Sequence, residues 1–264
     1  MTGASKGIGA ATAARLAEAG WHVCAGYATE TRKVPPDRNG SSVPFPAMFV
    51  KICGITTEED GLLAVAMGAD AVGFVFAPSP RQIAVDHARD IARRLPSDVL
   101  TVGVFRDEHP KRVVDLVNRS GVKAAQLHGN ENADVVAEVA RSVKWVIKAY
   151  PAGSSRVAEA HKLATDLILL DAAAPGSGQV FDWTLAGEVP SSVRLILAGG
   201  LDADNVADAV KAVEPWGVDV SSGVERSPGK KDAIKVKRFI ERAKAAAPVP
   251  YLGDDELPYD WSDE

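Results

Sequence analysis

Phe49-Val50-Lys51-Ile52-Cys53-Gly54-Ile55-Thr56 is an apolar strand that stops on a thiol and a glycine. Seven further short apolar runs follow at 71–76, 100–105, 124–127, 145–149, 167–170, 195–198 and 218–220. Most are nearly continuous in Val, Ile, Leu and Ala, as expected of strands covered on both faces. Amphipathic stretches at 58–67, 85–95, 110–119, 133–143 and 205–213 alternate with them, and a last one at 234–247 carries Lys235, Lys237, Arg238 and Lys244 on its expected exposed side. Eight strands alternating with helical segments in about 200 residues predict a compact (β/α)8 TIM barrel, with a doubly wound open sheet as the alternative. The barrel is assigned to residues 48–245.

Outside that span the character changes. Residues 1–28 open with the glycine-rich turn Thr2-Gly3-Ala4-Ser5-Lys6-Gly7-Ile8-Gly9, run on as a helix, and reach a second strand at 21–27. Such a turn lets a backbone approach a pyrophosphate. The segment resembles the start of a short-chain dehydrogenase/reductase. The strand that should precede the turn is reduced to Met1, and no Tyr-x-x-x-Lys follows anywhere, so it reads as a Rossmann-like fragment without a working nicotinamide site. Residues 29–47, with Pro35-Pro36, Asn39-Gly40 and Pro44-Phe45-Pro46, read as a linker. Residues 246–264 read as a solvated acidic tail.

The 264 residues are 46% hydrophobic and 25% charged, ordinary for a globular chain. A formal charge of −5 argues against nucleic acid as a partner. Two cysteines, Cys24 and Cys53, imply no disulfide framework and fit a reducing compartment. No apolar run reaches the roughly 18 residues of a membrane span, and no signal peptide is evident, so the expected location is the cytoplasm.

In a parallel barrel the C-terminal ends of all strands converge on one rim, which carries the chemistry. Strand one ends at Cys53-Gly54, and strand two runs into Ala77-Pro78-Ser79-Pro80-Arg81. Strand four ends Gln126-Leu127-His128-Gly129, and strand six ends at Asp171. Strand seven gives Ala198-Gly199-Gly200, and strand eight gives Asp219-Val220-Ser221-Ser222-Gly223-Val224-Glu225. Glycines on the last two loops together suggest a phosphate site built from backbone N–H groups. His87, His109 and His161 show no metal-ligand clustering.

These motifs, with Gly73-Phe74-Val75-Phe76, Gly176-Ser177-Gly178 and Phe181-Asp182-Trp183, together resemble phosphoribosylanthranilate isomerase of tryptophan biosynthesis, in order and spacing, from residue 48 to about 245. The resemblance implies a barrel that converts N-(5′-phosphoribosyl)anthranilate by an Amadori rearrangement, with neither metal nor organic cofactor, as a monomer or homodimer. It implies Asp171 as general acid and Cys53 as general base. Asp171 would then need to hold a proton near neutrality and Cys53 to carry thiolate character. It matches Arg81 to the anthranilate carboxylate, places His128 and Asp219 at the substrate, with Asp219 orienting the sugar or tuning Asp171, and assigns the phosphate to Gly199, Gly200, Ser221, Ser222 and Gly223. Gln179 stands where a lysine is common in relatives.

Three other readings compete. A phosphosugar barrel such as indole-glycerol-phosphate synthase would depend on strand-end Lys and Glu, for which Lys51 and Lys148 are the nearest residues. The N-terminal turn would make a dinucleotide-binding redox or sensor protein. A non-catalytic phosphate-binding barrel would require Cys53 or Asp171 to be misplaced.

Overall fold

Successive side chains on a strand point to opposite faces, so in a barrel every second residue enters the interior. The structure, a computed structural model, describes residues 31–32, 45–46, 48–165, 167–172 and 182–247. The glycine-rich turn at 2–9, the strand at 21–27, the loop at 173–181 and the acidic tail from 248 lie outside the described residues. Within the stretch read as linker, Thr31–Arg32 pairs antiparallel with Phe45–Pro46.

Eight parallel strands close into a barrel. They are β1 (Phe49–Cys53), β2 (Ala71–Val75), β3 (Leu100–Phe105), β4 (Ala124–Leu127), β5 (Trp145–Pro151), β6 (Leu167–Asp171), β7 (Arg194–Leu197) and β8 (Gly217–Val220). The strands expected from the apolar runs are all present, and the open sheet is excluded by the pairing of β8 with β1. That pairing sets Gly217 opposite Phe49, Asp219 opposite Lys51 and Val220 opposite Ile52.

The alternation sorts the apolar residues into two clusters. Phe49, Ala71, Val102, Ala124, Ile147, Leu167 and Ile196 fill the barrel interior. Val50, Ile52, Val72, Phe74, Leu127, Ile168, Leu170 and Val218 face the surrounding helices. Those helices are α1 (Glu58–Ala66), α2 (Val85–Ala92), α3 (Pro110–Ser120), α4 (Ala133–Ala140), α5 (Val206–Val213) and α6 (Ala233–Ala245). Their starts follow local chemistry. Thr57 caps α1 by accepting from Asp60 N, Pro110 occupies the first turn of α3, and Asp232 caps α6 through Ile234 N and Lys235 N. Between β5 and β6 the shell is reduced to a 3-10 segment, Val157–Lys162, which buries Val157 and Ala160. The connection from Pro151 to Leu167 is 15 residues long. Another 3-10 segment, Trp183–Glu188, precedes β7.

The closing helix departs from expectation at Lys244, which is half-buried, donating to Gly68 O at 2.6 Å and pairing with Asp70 at 3.2 Å. Lys235 is exposed, as expected, while donating to Glu225 O at 3.0 Å.

One buried ion pair organises the rim on the β4 side. Lys148 faces the helical layer, fully buried, with Nζ 2.7 Å from Glu131 Oε2. It also donates to the carbonyls of Leu127 and Gly129, which flank His128. Glu131 in turn accepts from Asp107 N and Gly129 N, stapling the loops after β3 and β4 together. Burial works against the Glu131 carboxylate, but the Lys148 hydrogen bond and charge outweigh it and hold the carboxyl below its ordinary range.

Glu131→Gln leaves the Lys148 ammonium buried without its counter-charge, a cost on the order of 3 kcal/mol. Its thermal midpoint is expected to fall near neutral pH. A carboxyl held below 4.5 in the folded protein contributes stability present above that value and lost as the pH drops through its folded-state value. Thermal melts at neutral pH and near pH 4 check this, the drop between them being smaller in Glu131→Gln than in the wild type.

Candidate active site

Inward parity carries the chemistry to the mouth of the barrel. Along β1 the inward series is Phe49, Lys51, Cys53; along β6 it is Leu167, Leu169, Asp171; along β8 it is Gly217, Asp219 and then Ser221. Cys53 and Asp171 thus end strands on opposite sides of the rim, three positions apart around the ring one way and five the other.

On the Asp171 side, His128 Nε2 lies 3.2 Å from Asp171 Oδ2, and Ala172 N donates to Oδ1 at 2.8 Å. Gln126 Nε2 stands 2.8 Å from His128 Nδ1. The Gln126 amide and the Asp171 carboxylate thus bracket the His128 ring, one at each nitrogen.

On the Cys53 side, Lys51 and Asp219 form a buried pair at 2.9 Å between β1 and β8. Asp219 is held by the Lys51 ammonium at 2.9 Å. Burial pushes the Cys53 thiol above its ordinary value and Asp219 adds to this, while the Lys51 and Lys231 ammonium groups pull the other way. Burial also opposes the Lys51 charge, but Asp219 and Cys53 outweigh it and raise its pKa.

Gly73 on β2 makes room for this arrangement. A Cβ there would sit 2.7 Å from Cys53 Sγ, 3.2 Å from Cys53 Cα and 3.3 Å from Lys51 Cε. Gly54, at φ +78°, likewise lets the Arg81 stem cross directly after the thiol.

Arg81 is fixed by Glu225 in a two-point pair, Nε to Oε1 at 2.8 Å and Nη2 to Oε2 at 2.9 Å. Lys231 Nζ reaches the same Oε1 at 3.0 Å. The guanidinium expected to meet a substrate carboxylate thus already spends one edge on a protein carboxylate.

The phosphate candidates come together on adjacent strands. Gly199 and Gly200 have φ of +80° and +66°. A Cβ on Gly199 would lie 2.4 Å from Ala172 N at the end of β6, and one on Gly223 would lie 2.0 Å from Leu201 O, so the loop after β8 packs on the loop after β7 at Gly223. Ser221 Oγ is buried with no hydrogen-bond partner among the described residues. No group of three or more His, Cys, Asp or Glu among the described residues is placed to hold a metal.

Three features escaped sequence reasoning. Lys51 was signalled: counting back by two from Cys53 puts an ammonium in the interior, where it must have a partner. Glu225 and Lys231 gave no such signal, because Arg226-Ser227-Pro228-Gly229-Lys230-Lys231 has the composition of an exposed turn.

The sequence model of the family described as N-(5'phosphoribosyl)anthranilate (PRA) isomerase matches residues 50–242. The chain belongs to this family. An N-(5'-phosphoribosyl)anthranilate isomerase of Desulforudis audaxviator is 47% identical over 206 residues, 75% of this chain and 98% of the relative. One from Pelobacter propionicus is 44% identical over 200 residues, 74% and 95% respectively. Among solved structures, phosphoribosyl anthranilate isomerase from Thermus thermophilus superposes with a TM-score of 0.71 at 42% identity, covering 75% of this chain and 99% of that one. A phosphoribosyl anthranilate isomerase in complex with reduced 1-(o-carboxyphenylamino)-1-deoxyribulose 5-phosphate gives 0.67 at 41%, with the same coverage. The chain is an aldose–ketose isomerase of tryptophan biosynthesis acting on N-(5′-phosphoribosyl)anthranilate. The indole-glycerol-phosphate synthase alternative falls with this, and Lys148, facing the helical layer, offers that chemistry nothing at the mouth.

Gly73→Ala is expected to lower kcat tenfold or more while moving the thermal midpoint little, because the new methyl must displace Cys53 Sγ. Steady-state kinetics beside a thermal melt check it; unchanged kcat would show that the thiol position is not critical.

Proposed function

We propose that Asp171 and Cys53 carry out the Amadori rearrangement from opposite sides of the substrate, Asp171 as acid and Cys53 as base. The observation that carries this reading is their placement at inward strand ends across the mouth, each with its own supporting partner. Asp171, with His128 beside it, protonates the furanose ring oxygen as the C1′–O bond breaks and the amine nitrogen lone pair forms the Schiff base. Cys53 thiolate then takes the C2′ proton, and those electrons flow to the nitrogen to give the enolamine. Tautomerisation of the enolamine delivers the ketose.

The remaining residues bind. The unspent edge of the Arg81 guanidinium receives the anthranilate carboxylate, and His128 lines the pocket beside Asp171. Asp219, through Lys51, orders the sugar side of the site. Backbone N–H groups of Gly199, Gly200, Ser221, Ser222 and Gly223 hold the phosphate, aided by the Ser221 hydroxyl. The reading needs no cofactor. Among the described residues no helix is long and apolar enough to cross a membrane, and a cytoplasmic monomer or homodimer is the form we assign. A relative from Thermotoga maritima is described as dimeric.

Cys53→Ala and Asp171→Ala are each expected to lower kcat by 10²-fold or more, read as the loss of phosphoribosylanthranilate fluorescence with the full chain. Retention of activity in either variant would remove that residue from its role.

Because burial raises the Cys53 pKa, kcat/KM is expected to climb as the pH rises from neutral into the alkaline range and thiolate forms. Lys51 opposes that rise, so Lys51→Met should displace the ascending limb to higher pH. A limb that stays in place would separate Lys51 from the thiol.

A further inference from the structure

Lys231 and Glu225 lie outside the roles assigned above, yet they are among the most buried charged groups in the molecule, with side chains 0% and 5% exposed. An ammonium has three N–H donors. Lys231 commits them to Cys53 O at 2.6 Å, Ser221 O at 3.2 Å and Glu225 Oε1 at 3.0 Å. The first two acceptors belong to the ends of β1 and β8, so the ammonium is anchored in the barrel itself. The backbone confirms the anchoring: Lys231 N donates to Asp60 Oδ2 on α1, and Thr56 Oγ1 donates to Gly229 O in the same hairpin.

Glu225 is therefore fixed at one oxygen by a fully committed cation and presents both oxygens to Arg81. A guanidinium is planar, so two hydrogen bonds to one carboxylate set both its position and its plane. Of its five N–H groups, Glu225 takes one on Nε and one on Nη2. On the end-on edge, one N–H of Nη1 and the second of Nη2 are not taken by Glu225, the geometry that receives a second carboxylate. The three joined side chains hold two cations and one anion, a surplus of one positive charge.

We propose that Glu225 and Lys231 are positioning residues that aim this edge of Arg81 and thereby set the selectivity of the site for a carboxylate-bearing aromatic amine. The assignment rests on the reading of Arg81 as the carboxylate-binding residue. It adds that affinity for the carboxylate depends on where the guanidinium is held and not only on its charge.

Position and charge make opposite predictions for one variant. Glu225→Gln removes a negative charge beside Arg81; charge alone would tighten an anionic ligand, whereas loss of positioning weakens it. Two probes measure this by titration: reduced 1-(o-carboxyphenylamino)-1-deoxyribulose 5-phosphate, and the same compound lacking the carboxyl group. In Glu225→Gln the carboxylate-bearing probe is expected to bind about fivefold more weakly, and the other to change less than twofold. Lys231→Met should weaken the first probe about tenfold or more with the same selectivity, and raise KM more than it lowers kcat. Tighter or unchanged binding of the carboxylate probe to Glu225→Gln would overturn the proposal, as would equal weakening of both probes. If Lys231→Met does not fold, the near-isosteric Glu225→Gln decides alone. Arg81→Ala separates the two readings. If it spares the carboxylate probe, the binding role of Arg81 fails and this proposal with it; if it alone weakens that probe, only the positioning role fails.

Discussion

Closing β8 on β1 sets Lys51 directly opposite Asp219, and the rest of the site depends on that register. A fully buried ammonium is tolerated only with a counter-charge in reach, and here the partner comes from 168 residues along the chain. A slip of one residue at this seam would turn Lys51 into the apolar helical layer and take Cys53 and Asp219 out of the mouth. The ion pair therefore selects the closure that brings the thiol, the Ser221 loop and the Arg81 clamp together. Whatever it contributes to net stability, its chief effect is to make competing registers costly.

The barrel was legible because its signals are local and repeated. Short apolar runs gave the strands, and β3 and β4 were placed at their observed ends from composition alone. The site was legible where function sits at a strand end, as with Cys53, His128, Asp171 and the paired glycines. It was obscure where a residue acts through a turn. Lys231 follows Pro228-Gly229-Lys230, and neither periodicity nor propensity marks one of two adjacent lysines as buried. Arg81 was read as simply awaiting a ligand carboxylate because Glu225, 144 residues away, left no trace in its neighbourhood of the chain.

Two buried lysines outside the barrel interior show one device used twice. Lys148 fixes the carbonyls on either side of His128, and Lys231 fixes the carbonyl of Cys53. In each case a glutamate supplies the counter-charge, and the same glutamate reaches onward to a second rim element: Asp107 and Gly129 backbone for Glu131, Arg81 for Glu225. A buried charge with several carbonyl acceptors is a poor source of net stability, since desolvation offsets most of the attraction. It is a good source of geometry, because an ammonium surrounded by fixed dipoles has few other places to go. Loops are ordinarily the mobile part of a fold, and these clamps make the strand ends behave as extensions of the barrel.

That rigidity bears on the chemistry through the thiol. Cys53 sits among Lys51, Lys231 and Asp219, and burial outweighs the pull of the two cations, raising its pKa. In the mechanism we propose, a base whose charged form is disfavoured by burial suits two proton transfers in sequence. Ring opening needs only the acid, and it turns a neutral amine into a cationic Schiff base close to the sulfur. That new positive charge favours the thiolate at the moment the C2′ proton must leave. A thiol already ionised would instead attract protons and oxidants while the site waits for substrate. On the proposed mechanism, the environment of Cys53 is matched to the intermediate rather than to the starting sugar, which is where a stabilising interaction accelerates the reaction.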